Sequence, residues 1–329
     1  CCGIIFYYIL FIFIHEDLAM KKIFVDGSAG TTGLRIFERL SGRDDVEIIG
    51  ISEEKRKDLS ARKDAIMSAD AAFLCLPDAA AREIIDAVGE CDTKILDTST
   101  AHRTEPGWAY GFPELSPEFE NAVKTSNRIA VPGCHASGFI SLVYPLTAHG
   151  IMPADYPVVC YSVTGYSGGG KKMIAEYESA DRDGELSSPR QYGLTQNHKH
   201  LKEMTAVCKL ARNPIFAPIV ADYYSGMVVS VPVFPKLLKG NPTVRELHAL
   251  FAEHYKGQPA VKVNAFGTEG FLGSNNLAGL DRLEIEVTGN DERVLLAARF
   301  DNLGKGSSGA AIECMNLALG FDKTKGLDL

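Results

Sequence analysis

The 329-residue sequence lacks an excess of basic residues, since 34 Lys and Arg stand against 42 Asp and Glu and give a net charge of −8. A general affinity for nucleic acid or for an anionic membrane surface is therefore not expected. The eight cysteines form no CxxC motif and no zinc-type pairing with histidines, so no metal is expected. Scattered cysteines in a chain of this size indicate reduced thiols, which favours a cytoplasmic protein.

Long apolar runs are also missing, with one exception at the start of the chain. Residues 1–14 are almost wholly apolar, but a membrane-spanning helix needs roughly 20 such residues. A secretory signal would need a basic leading region, which this segment does not have. Met20 then leads directly into an apolar strand pattern. We therefore expect residues 1–19 to be a non-native or disordered extension, with a membrane anchor as the alternative.

From Lys21 onward, strand patterns alternate with helical patterns. Four apolar runs are typical of buried strands: 22–26, 46–51, 71–76 and 94–97. A helical pattern covers 80–88, and an earlier one presents an apolar face made by Leu34, Ile36, Phe37 and Leu40. Strands separated by helices of this length predict a parallel sheet with right-handed crossovers.

After about Ser137 the regular alternation of strand and helix patterns gives way to longer strand patterns. Five segments have the length or the alternation of strands with one covered face: 158–163, 227–232, 260–264, 282–288 and 293–301. A last helical pattern at 307–319 is expected to pack back on the first domain. The predicted fold is α/β, with a Rossmann-type parallel-sheet domain over residues 20–133 plus 305–329 and a mixed α+β domain over residues 134–304.

A glycine-rich motif, GxxGxxG, stands between the first strand and the first helix. Glycines let the backbone approach a pyrophosphate, and the start of a helix offers free amides and the positive end of its dipole. In this context the motif predicts dinucleotide binding, with an ordinary tight turn as the alternative. The residues assigned to the cofactor here are Gly27, Ser28, Ala29, Gly30, Thr31, Thr32 and Gly33.

The end of the second strand favours NADP over NAD. An acidic residue at this position would bind the ribose 2′-hydroxyl and repel a 2′-phosphate. Here the strand ends on Ser52, and Arg56 or Lys57 follows closely enough to pair with a phosphate. The acidic pair at 53–54 is evidence against NADP. The alternative interpretation of this segment is a charged loop in solvent that does not bind the cofactor. Pro77, which ends the third strand, is also assigned to the cofactor site.

Cys134 is the candidate nucleophile. It follows a Pro-Gly turn, and the apolar residues at 139, 142, 143 and 146 have the spacing of an amphipathic helix that begins at this cysteine. The helix dipole and the free amides at such a position lower the pKa of a thiol, so a thiolate is expected near neutral pH. A cysteine merely buried at a helix start is the alternative.

Such a nucleophile needs a group that moves protons. His135 is adjacent in sequence, but at a helix start its side chain is expected to point elsewhere. His200 and Glu203 lie three residues apart, so on a helix they share a face and the carboxylate could orient the imidazole. The HxH of His198 and His200 could also be half of a metal site, but no cluster of further ligands completes it.

With these motifs in place, the chain resembles the N-acetyl-gamma-glutamyl-phosphate reductase family, in its shorter form, within the semialdehyde dehydrogenase superfamily. The resemblance runs from about Met20 to the C-terminus. Five blocks in order carry it: DGSAGTTGLRI, DTSTAHRT with GWAYGFPEL, VPGCHASGF, PIVADYYSGMVVSVP and DNLGKGSSGAA. The chain departs from the family in lacking the proline that many members place just before the glutamate of HxHxxE.

The resemblance implies an NADPH-dependent oxidoreductase of arginine biosynthesis that reduces an acyl phosphate to an aldehyde. Cys134 would form a thioester and expel phosphate, and His200, oriented by Glu203, would act as acid and base. The backbone at Asn302 and Gly304 would pass the nicotinamide end of the cofactor. The first domain would bind NADP, and the second would carry catalysis and association into a homodimer or homotetramer.

Three further residues are assigned to the substrate. Arg103 would bind a carboxylate or phosphate, because a guanidinium holds such anions bidentately, and a surface arginine is the alternative. Ser167 and Gly168 lie in a Gly-rich segment that is expected to form a flexible loop over the active site. Rival interpretations are an aspartate-semialdehyde or amino-adipate-semialdehyde type of reductase, and a catalytically inactive nucleotide-binding regulator.

Overall fold

The computed structural model describes residues 20–329, so the extension or anchor expected at residues 1–19 lies outside the described residues. The strands form two sheets and are β1 (Lys21–Asp26), β2 (Val46–Ile49), β3 (Ala71–Leu74), β4 (Lys94–Asp97), β5 (Ala109–Tyr110), β6 (Arg128–Ala130), β7 (Val159–Gly165), β8 (Arg190–Gln191), β9 (Ile215–Ala221), β10 (Met227–Val233), β11 (Val261–Val263), β12 (Leu283–Gly289) and β13 (Val294–Phe300).

The α-helices over the same range are α1 (Thr31–Ser41), α2 (Leu59–Met67), α3 (Asp78–Val88), α4 (Pro117–Thr125), α5 (Cys134–Ala148), α6 (Gly170–Glu178), α7 (Leu201–Val207), α8 (Val244–His254) and α9 (Gly309–Leu319). Between residues 20 and 329, no helix combines the length and the apolar composition needed to cross a bilayer.

The first sheet is parallel throughout, in the order β2-β1-β3-β4-β6-β5. Alternate residues of its strands enter two separate cores, because successive side chains of a strand point to opposite faces. Ile23 and Phe73 pack with α1 and α9, whereas Phe24 and Leu74 pack with α2 and α3. A parallel sheet covered by helices on both faces is the Rossmann-type arrangement predicted from the sequence, and the prediction is confirmed.

Two details of the first sheet differ from the prediction. Strand β2 ends at Ile49 and β3 at Leu74, so the apolar runs continue two residues beyond the paired strands. On α1, Ile36 and Leu40 are buried, but Leu34 and Phe37 are 46% and 41% exposed. The buried pair is spaced i, i+4, which places both side chains on the face that meets the sheet.

The second sheet is mixed, in the order β11-β12-β13-β10-β7-β9-β8, with parallel pairing at β11–β12 and β7–β9 and antiparallel pairing elsewhere. One face packs against α5 and α8 in the largest core of the described chain. Strand β10 shows the strict alternation of buried and half-buried residues that this arrangement requires. The mixed second domain architecture predicted from the sequence is therefore confirmed.

Helix α5 joins the two sheets and is buried on all sides rather than amphipathic, because every residue from 135 to 143 is buried. Its last turn contains Pro145, which has no backbone N–H to donate to the carbonyl of Ser141. The Tyr255 hydroxyl from the end of α8 donates to that carbonyl instead, at 2.8 Å. The helix that begins at Cys134 is thus held by the core of the second sheet.

The C-terminal segment returns to the first sheet. Helix α9 packs beside α1 on one face of it. Just before α9, the buried ammonium of Lys305 contacts the carboxylates of Glu114 and Glu313. Those two opposite charges offset the cost of burying the cation, whose pKa they raise despite its desolvation. This cluster attaches the segment after β13 to the turn before α4.

We expect Gly138→Ala to lower the free energy of unfolding by about 1–3 kcal/mol. A methyl group at this position of α5 would lie 2.7 Å from Val229 Cβ and 2.8 Å from Phe300 Cε1. This overpacking outweighs the gain in helix propensity of about 1 kcal/mol for replacing glycine by alanine. Urea denaturation measures the change, with Gly42→Ala as the control.

In the control variant the added methyl group meets no atom within 4 Å, at a helix end with φ of −91°. Its stability should stay within about 0.5 kcal/mol of the parent. Equal unfolding free energies for the two variants would show that α5 has room to move away from the sheet.

Candidate active site

A cavity of about 310 Å³ lies where the carboxyl edge of the parallel sheet meets the second sheet. Its walls come from the start of α1, the start of α5, the turn after β7, the loop before α7 and the loop after β13. The sequence-predicted site residues that line it are Thr31, Thr32, Arg103, Cys134, Ser167, Gly168, His200 and Asn302. Segments that are far apart in the chain therefore converge on one site, since Thr32 and Ser307 both line it and are 275 residues apart.

Cys134 is the first residue of α5, and Gly133 is the N-cap with no side chain to occupy the first amides. The amide of Ser137 is the first to bond within the helix, to the carbonyl of Gly133. The earlier amides of the turn are therefore available beside the thiol. Of the free cysteines in the described chain, Cys134 is the one that lines the cavity.

The thiol is not activated as the sequence predicted. Burial raises the pKa of Cys134 to about 11, and this outweighs the hydrogen bond from the His135 amide and the charge of Arg103, which lower it. The expected thiolate near neutral pH is therefore wrong for the free cavity, because desolvation exceeds the effect of the helix start. A thiol that is protonated at pH 7 needs a base to take its proton.

Arg103 is bound on three sides by protein acceptors. Its guanidinium donates to the carbonyls of Val131 and Thr98 at 2.9 and 3.0 Å, and to Glu203 Oε1 at 2.6 Å. Five N–H groups are present on a guanidinium, so two remain for the cavity that Arg103 lines. The surface-arginine alternative is wrong, since the charged groups of this ion pair are 7% and 2% exposed.

Glu203 does not orient His200, in contrast to the prediction. Its second oxygen accepts from the Tyr110 hydroxyl at 2.8 Å and from the Gly133 amide at 3.2 Å. Both Glu203 oxygens are thus bound by donors other than the imidazole of His200, which is the N-cap of α7. Glu203 lies behind the cavity and acts on it through Arg103 and the start of α5.

His200 is buried against Gly133, the residue that precedes Cys134. A methyl group on Gly133 would lie 2.6 Å from His200 Cε1, so the imidazole packs directly on this glycine. Burial, and next the charge of Arg103, hold the pKa of His200 well below its usual value of 6.5. The ring is therefore neutral at pH 7, and Nδ1 has no hydrogen-bond partner among residues 20–329. A neutral imidazole in this place can accept a proton.

His135 does not point away from the site as expected but lines the same cavity. Its Nδ1 lies 2.6 Å from Ser162 Oγ on β7, and its Nε2 lies 2.7 Å from the Tyr192 hydroxyl. Burial, followed by the charge of His198, lowers the pKa of His135 to about 3. Tyr192 has no recognisable motif around it, so nothing in the sequence indicated its place at the site.

The turn before α1 has the form that a pyrophosphate requires. Gly27 has φ of +83°, and a methyl group there would collide with the carbonyl of Cys75. Gly30 is the N-cap of α1 and offers no side chain to the first amides, which leaves those of Thr31 and Thr32 for an anion. These residues of the glycine motif fit the diphosphate of a dinucleotide.

A second cavity of about 480 Å³ adjoins this turn at the end of β2. Arg56 and Lys57 line it, as expected for a 2′-phosphate site, and Arg56 pairs with Glu53 at 2.8 Å. Ser52 is exposed, and neither it nor Pro77 lines either cavity, in contrast to their assignment. The neighbouring Leu76 and Ala80 line it instead.

The loop after β13 meets the Gly-rich segment. In the Asn302 side chain, Nδ2 donates to Ser167 Oγ at 3.0 Å, and Oδ1 accepts from the backbone amide of Gly226 at 2.9 Å. Gly304 does not line the cavity, because the π-helical turn 304–308 packs it against Leu280. The flexible loop expected at 166–171 is instead a 3₁₀ turn, Tyr166–Gly169, followed directly by the first residues of α6.

Models of known families match two segments of the chain. Residues 22–122 match the NAD binding domain of semialdehyde dehydrogenase, and residues 134–302 match its dimerisation domain. N-acetyl-gamma-glutamyl-phosphate reductase 2 of Nostoc sp. is 42% identical over 320 residues, which cover 93% of this chain and 99% of the relative. The N-acetyl-gamma-glutamyl-phosphate reductase of Brucella ovis is 44% identical over 306 residues, covering 91% and 99%.

Solved structures share the fold at much lower identity. Aspartate semialdehyde dehydrogenase II of Vibrio cholerae, complexed with ASA, aligns with a TM-score of 0.69 and 13% identity over 92% of this chain and 98% of that one. Aspartate semialdehyde dehydrogenase of Francisella tularensis aligns with a TM-score of 0.68 and 14% identity over 91% and 99%. At such identity the likeness concerns the fold alone.

Alkylation of Cys134 by iodoacetamide should accelerate about tenfold per pH unit between about pH 7 and 10, without a plateau. The reason is that the thiolate is the reactive form and the pKa of this thiol is raised to about 11. Mass spectrometry of the labelled peptide measures the rate, and Cys134→Ser serves as the control for labelling elsewhere. A plateau already reached near pH 8 would contradict the raised pKa.

Proposed function

The chain belongs to the N-acetyl-gamma-glutamyl-phosphate reductases of the semialdehyde dehydrogenase family, and from this we propose that it reduces N-acetyl-glutamyl phosphate with NADPH, a step of arginine biosynthesis. The products are N-acetyl-glutamate semialdehyde and phosphate. The observation that carries the proposal is that Cys134, at a helix start, shares one cavity with a neutral imidazole, a guanidinium and the amides of a dinucleotide turn.

We propose that residues 20–133 plus 305–329 bind NADP and that residues 134–304 carry catalysis and association. The first assignment is supported by the parallel sheet, its glycine turn and the return of α9 to that sheet. Association into a homodimer or homotetramer is supported by the face of the second sheet turned away from α5, where Leu295 is exposed. A cytoplasmic location remains a prediction from the reduced cysteines.

The cofactor would be held by three segments of the chain. The amides of the turn at 27–33 would bind the diphosphate, and Arg56 with Lys57 would bind the 2′-phosphate. At the other end, Asn302 and its neighbours 303, 306 and 307 line the cavity beside the nucleophile. When bound there, NADPH supplies the hydride that reduces the acyl carbon.

The first chemical step falls to His200 and Cys134. The neutral imidazole accepts the thiol proton, and the sulfur attacks the acyl carbon, so that a C–S bond forms and the bond to the phosphate oxygen breaks. The proton on His200 passes to the departing phosphate. The acyl group is left on Cys134 as a thioester.

The second step regenerates the thiol. After reduction, the carbon attached to sulfur carries an oxyanion, which the free amides at the start of α5 stabilise. The oxyanion collapses to the aldehyde, the C–S bond breaks, and the Cys134 thiolate recovers a proton that His200 takes up from solvent. Arg103, fixed by Glu203, directs its two remaining N–H groups to a carboxylate or phosphate of the substrate.

The reaction is tested in reverse, with N-acetyl-glutamate semialdehyde, NADP and phosphate, by following NADPH absorbance. We expect a signal that requires phosphate, is greater with NADP than with NAD and is absent from Cys134→Ser, which should still bind NADPH. Aspartate semialdehyde and the amino-adipate analogue serve as controls. Turnover of either control aldehyde in place of N-acetyl-glutamate semialdehyde would change the assigned substrate. No NADPH formation with any of the three aldehydes would contradict the proposed function.

His200→Asn should lower kcat by roughly 100-fold or more, because the raised pKa of Cys134 makes proton removal obligatory near pH 7. The binding of NADPH, measured by fluorescence, should be unchanged. The loss should diminish as pH rises, since the thiol then ionises without a base. A loss that is independent of pH would indicate a structural role for His200.

A further inference from the structure

Three buried or half-buried groups at the active site have no part in the proposed mechanism. Ser162, His135 and Tyr192 form a hydrogen-bonded chain that leads from the core of the second sheet to the cavity wall. Ser162 Oγ lies 2.6 Å from His135 Nδ1, and His135 Nε2 lies 2.7 Å from the Tyr192 hydroxyl. The direction of the protons along this chain decides what Tyr192 can offer to a bound molecule.

Ser162 sets that direction. Its side chain is fully buried, and His135 Nδ1 is its hydrogen-bond partner within residues 20–329. If Nδ1 carried a proton and donated it, the proton of the serine hydroxyl would be buried with no acceptor. An unsatisfied buried donor costs about 1–3 kcal/mol. Ser162 therefore donates to Nδ1, and Nδ1 carries no proton.

The proton of the neutral imidazole then lies on Nε2. Burial lowers the pKa of His135 to about 3, so the ring is neutral at physiological pH and holds one proton. With Nδ1 acting as an acceptor, Nε2–H donates to the oxygen of Tyr192. The tyrosine is thus an acceptor in this contact, and its own proton is not used by His135.

The position of Tyr192 determines where that proton can go. Tyr192 lines the cavity together with Cys134, Arg103 and His200. Burial raises the pKa of its phenol above the usual range, and the nearby Cys134 raises it further, so the hydroxyl stays protonated. A neutral donor therefore lines the same cavity as Cys134 and the Arg103 guanidinium.

We propose that the Tyr192 hydroxyl donates a hydrogen bond to a carboxylate or carbonyl oxygen of the bound acyl substrate, and that Ser162 and His135 are positioning residues that keep this proton directed into the cavity. The inference rests on the proposed function, because it takes the molecule in the cavity to be an acyl substrate. It adds to Arg103 a second, uncharged contact that binds the substrate without taking part in proton transfer.

Kinetics of Tyr192→Phe in the reverse reaction test the contact. We expect kcat/KM for N-acetyl-glutamate semialdehyde to fall about 10- to 100-fold, mainly through KM, as for the loss of a hydrogen bond to a charged or polar oxygen. The dissociation constant of NADPH should change less than about twofold. Tyr161→Phe is the matched control, since Tyr161 is the neighbour of Ser162 on β7 and is 49% exposed.

A double-mutant cycle tests the positioning. Ser162→Ala lets the Tyr192 proton turn back towards His135, so it should raise KM by a smaller factor than Tyr192→Phe. The double variant should be no worse than Tyr192→Phe alone, because the two changes remove the same contact. Losses that multiply in the double variant would contradict the relay and indicate two independent structural effects.

A truncated substrate identifies the oxygen that is bound. Acetamidobutanal keeps the acetyl group and lacks the α-carboxylate. If Tyr192 binds the carboxylate, Tyr192→Phe and the parent should use this aldehyde equally well; if it binds the acetyl carbonyl, the loss should persist. Normal kinetics of Tyr192→Phe with both aldehydes would overturn the inference while leaving the proposed function intact, whereas an inactive parent enzyme would overturn both.

Discussion

The carboxylate of Glu203 binds three groups that lie 70 to 100 residues before it in the chain. One oxygen binds the guanidinium of Arg103, from the loop after β4, and the other binds the Tyr110 hydroxyl and the Gly133 amide. The position of Arg103, the entry to α5 and the start of α7 therefore depend on one buried charge. Removing one partner of such a pair costs about 3–5 kcal/mol, because the other charge is left buried without compensation.

The same burial sets the protonation states of the site. Desolvation raises the pKa of Cys134 and lowers those of His135 and His200, so all three groups are neutral in the free cavity. Desolvation therefore disfavours a preformed thiolate–imidazolium pair in the cavity. In the proposed mechanism a proton must therefore move when the substrate is attacked, and the imidazole beside Gly133 is the base that we propose for it.

The arrangement of the two sheets explains why the site lies where it does. Helix α5 starts at the carboxyl edge of the parallel sheet, where nucleotides bind in open α/β sheets. The rest of α5 is buried in the core of the second sheet, where Gly138 permits close contact with β10. Cys134 is consequently held by the core of the second sheet while it lines one cavity with the turn at the start of α1.

Several features could be predicted from local sequence alone. The alternation of strands and helices from β1 to β4, the glycine turn and the place of Cys134 at a helix start all follow from spacing and turn chemistry within a few residues. The assignment of Arg103 to the cavity came from the resemblance and agrees with its place in the lining. The spacing of apolar residues predicted an amphipathic α5, but the structure buries this helix on all sides. Periodicity shows which residues share a face, and it cannot show that a second element covers the opposite face.

The sequence by itself thus determined the alternation of strands and helices from β1 to β4 and the start of α5 at Cys134, because these depend on neighbours along the chain. It did not determine where β2 and β3 end, or the short strands β5, β6 and β8. Only the tertiary structure decided the partner of Glu203, the side of the turn on which Gly304 lies, and the contact of His135 with Tyr192. It also decided that Cys134 is a thiol rather than a thiolate. These properties arise from contacts between distant segments and from the exclusion of water, which exist only when both sheets have assembled.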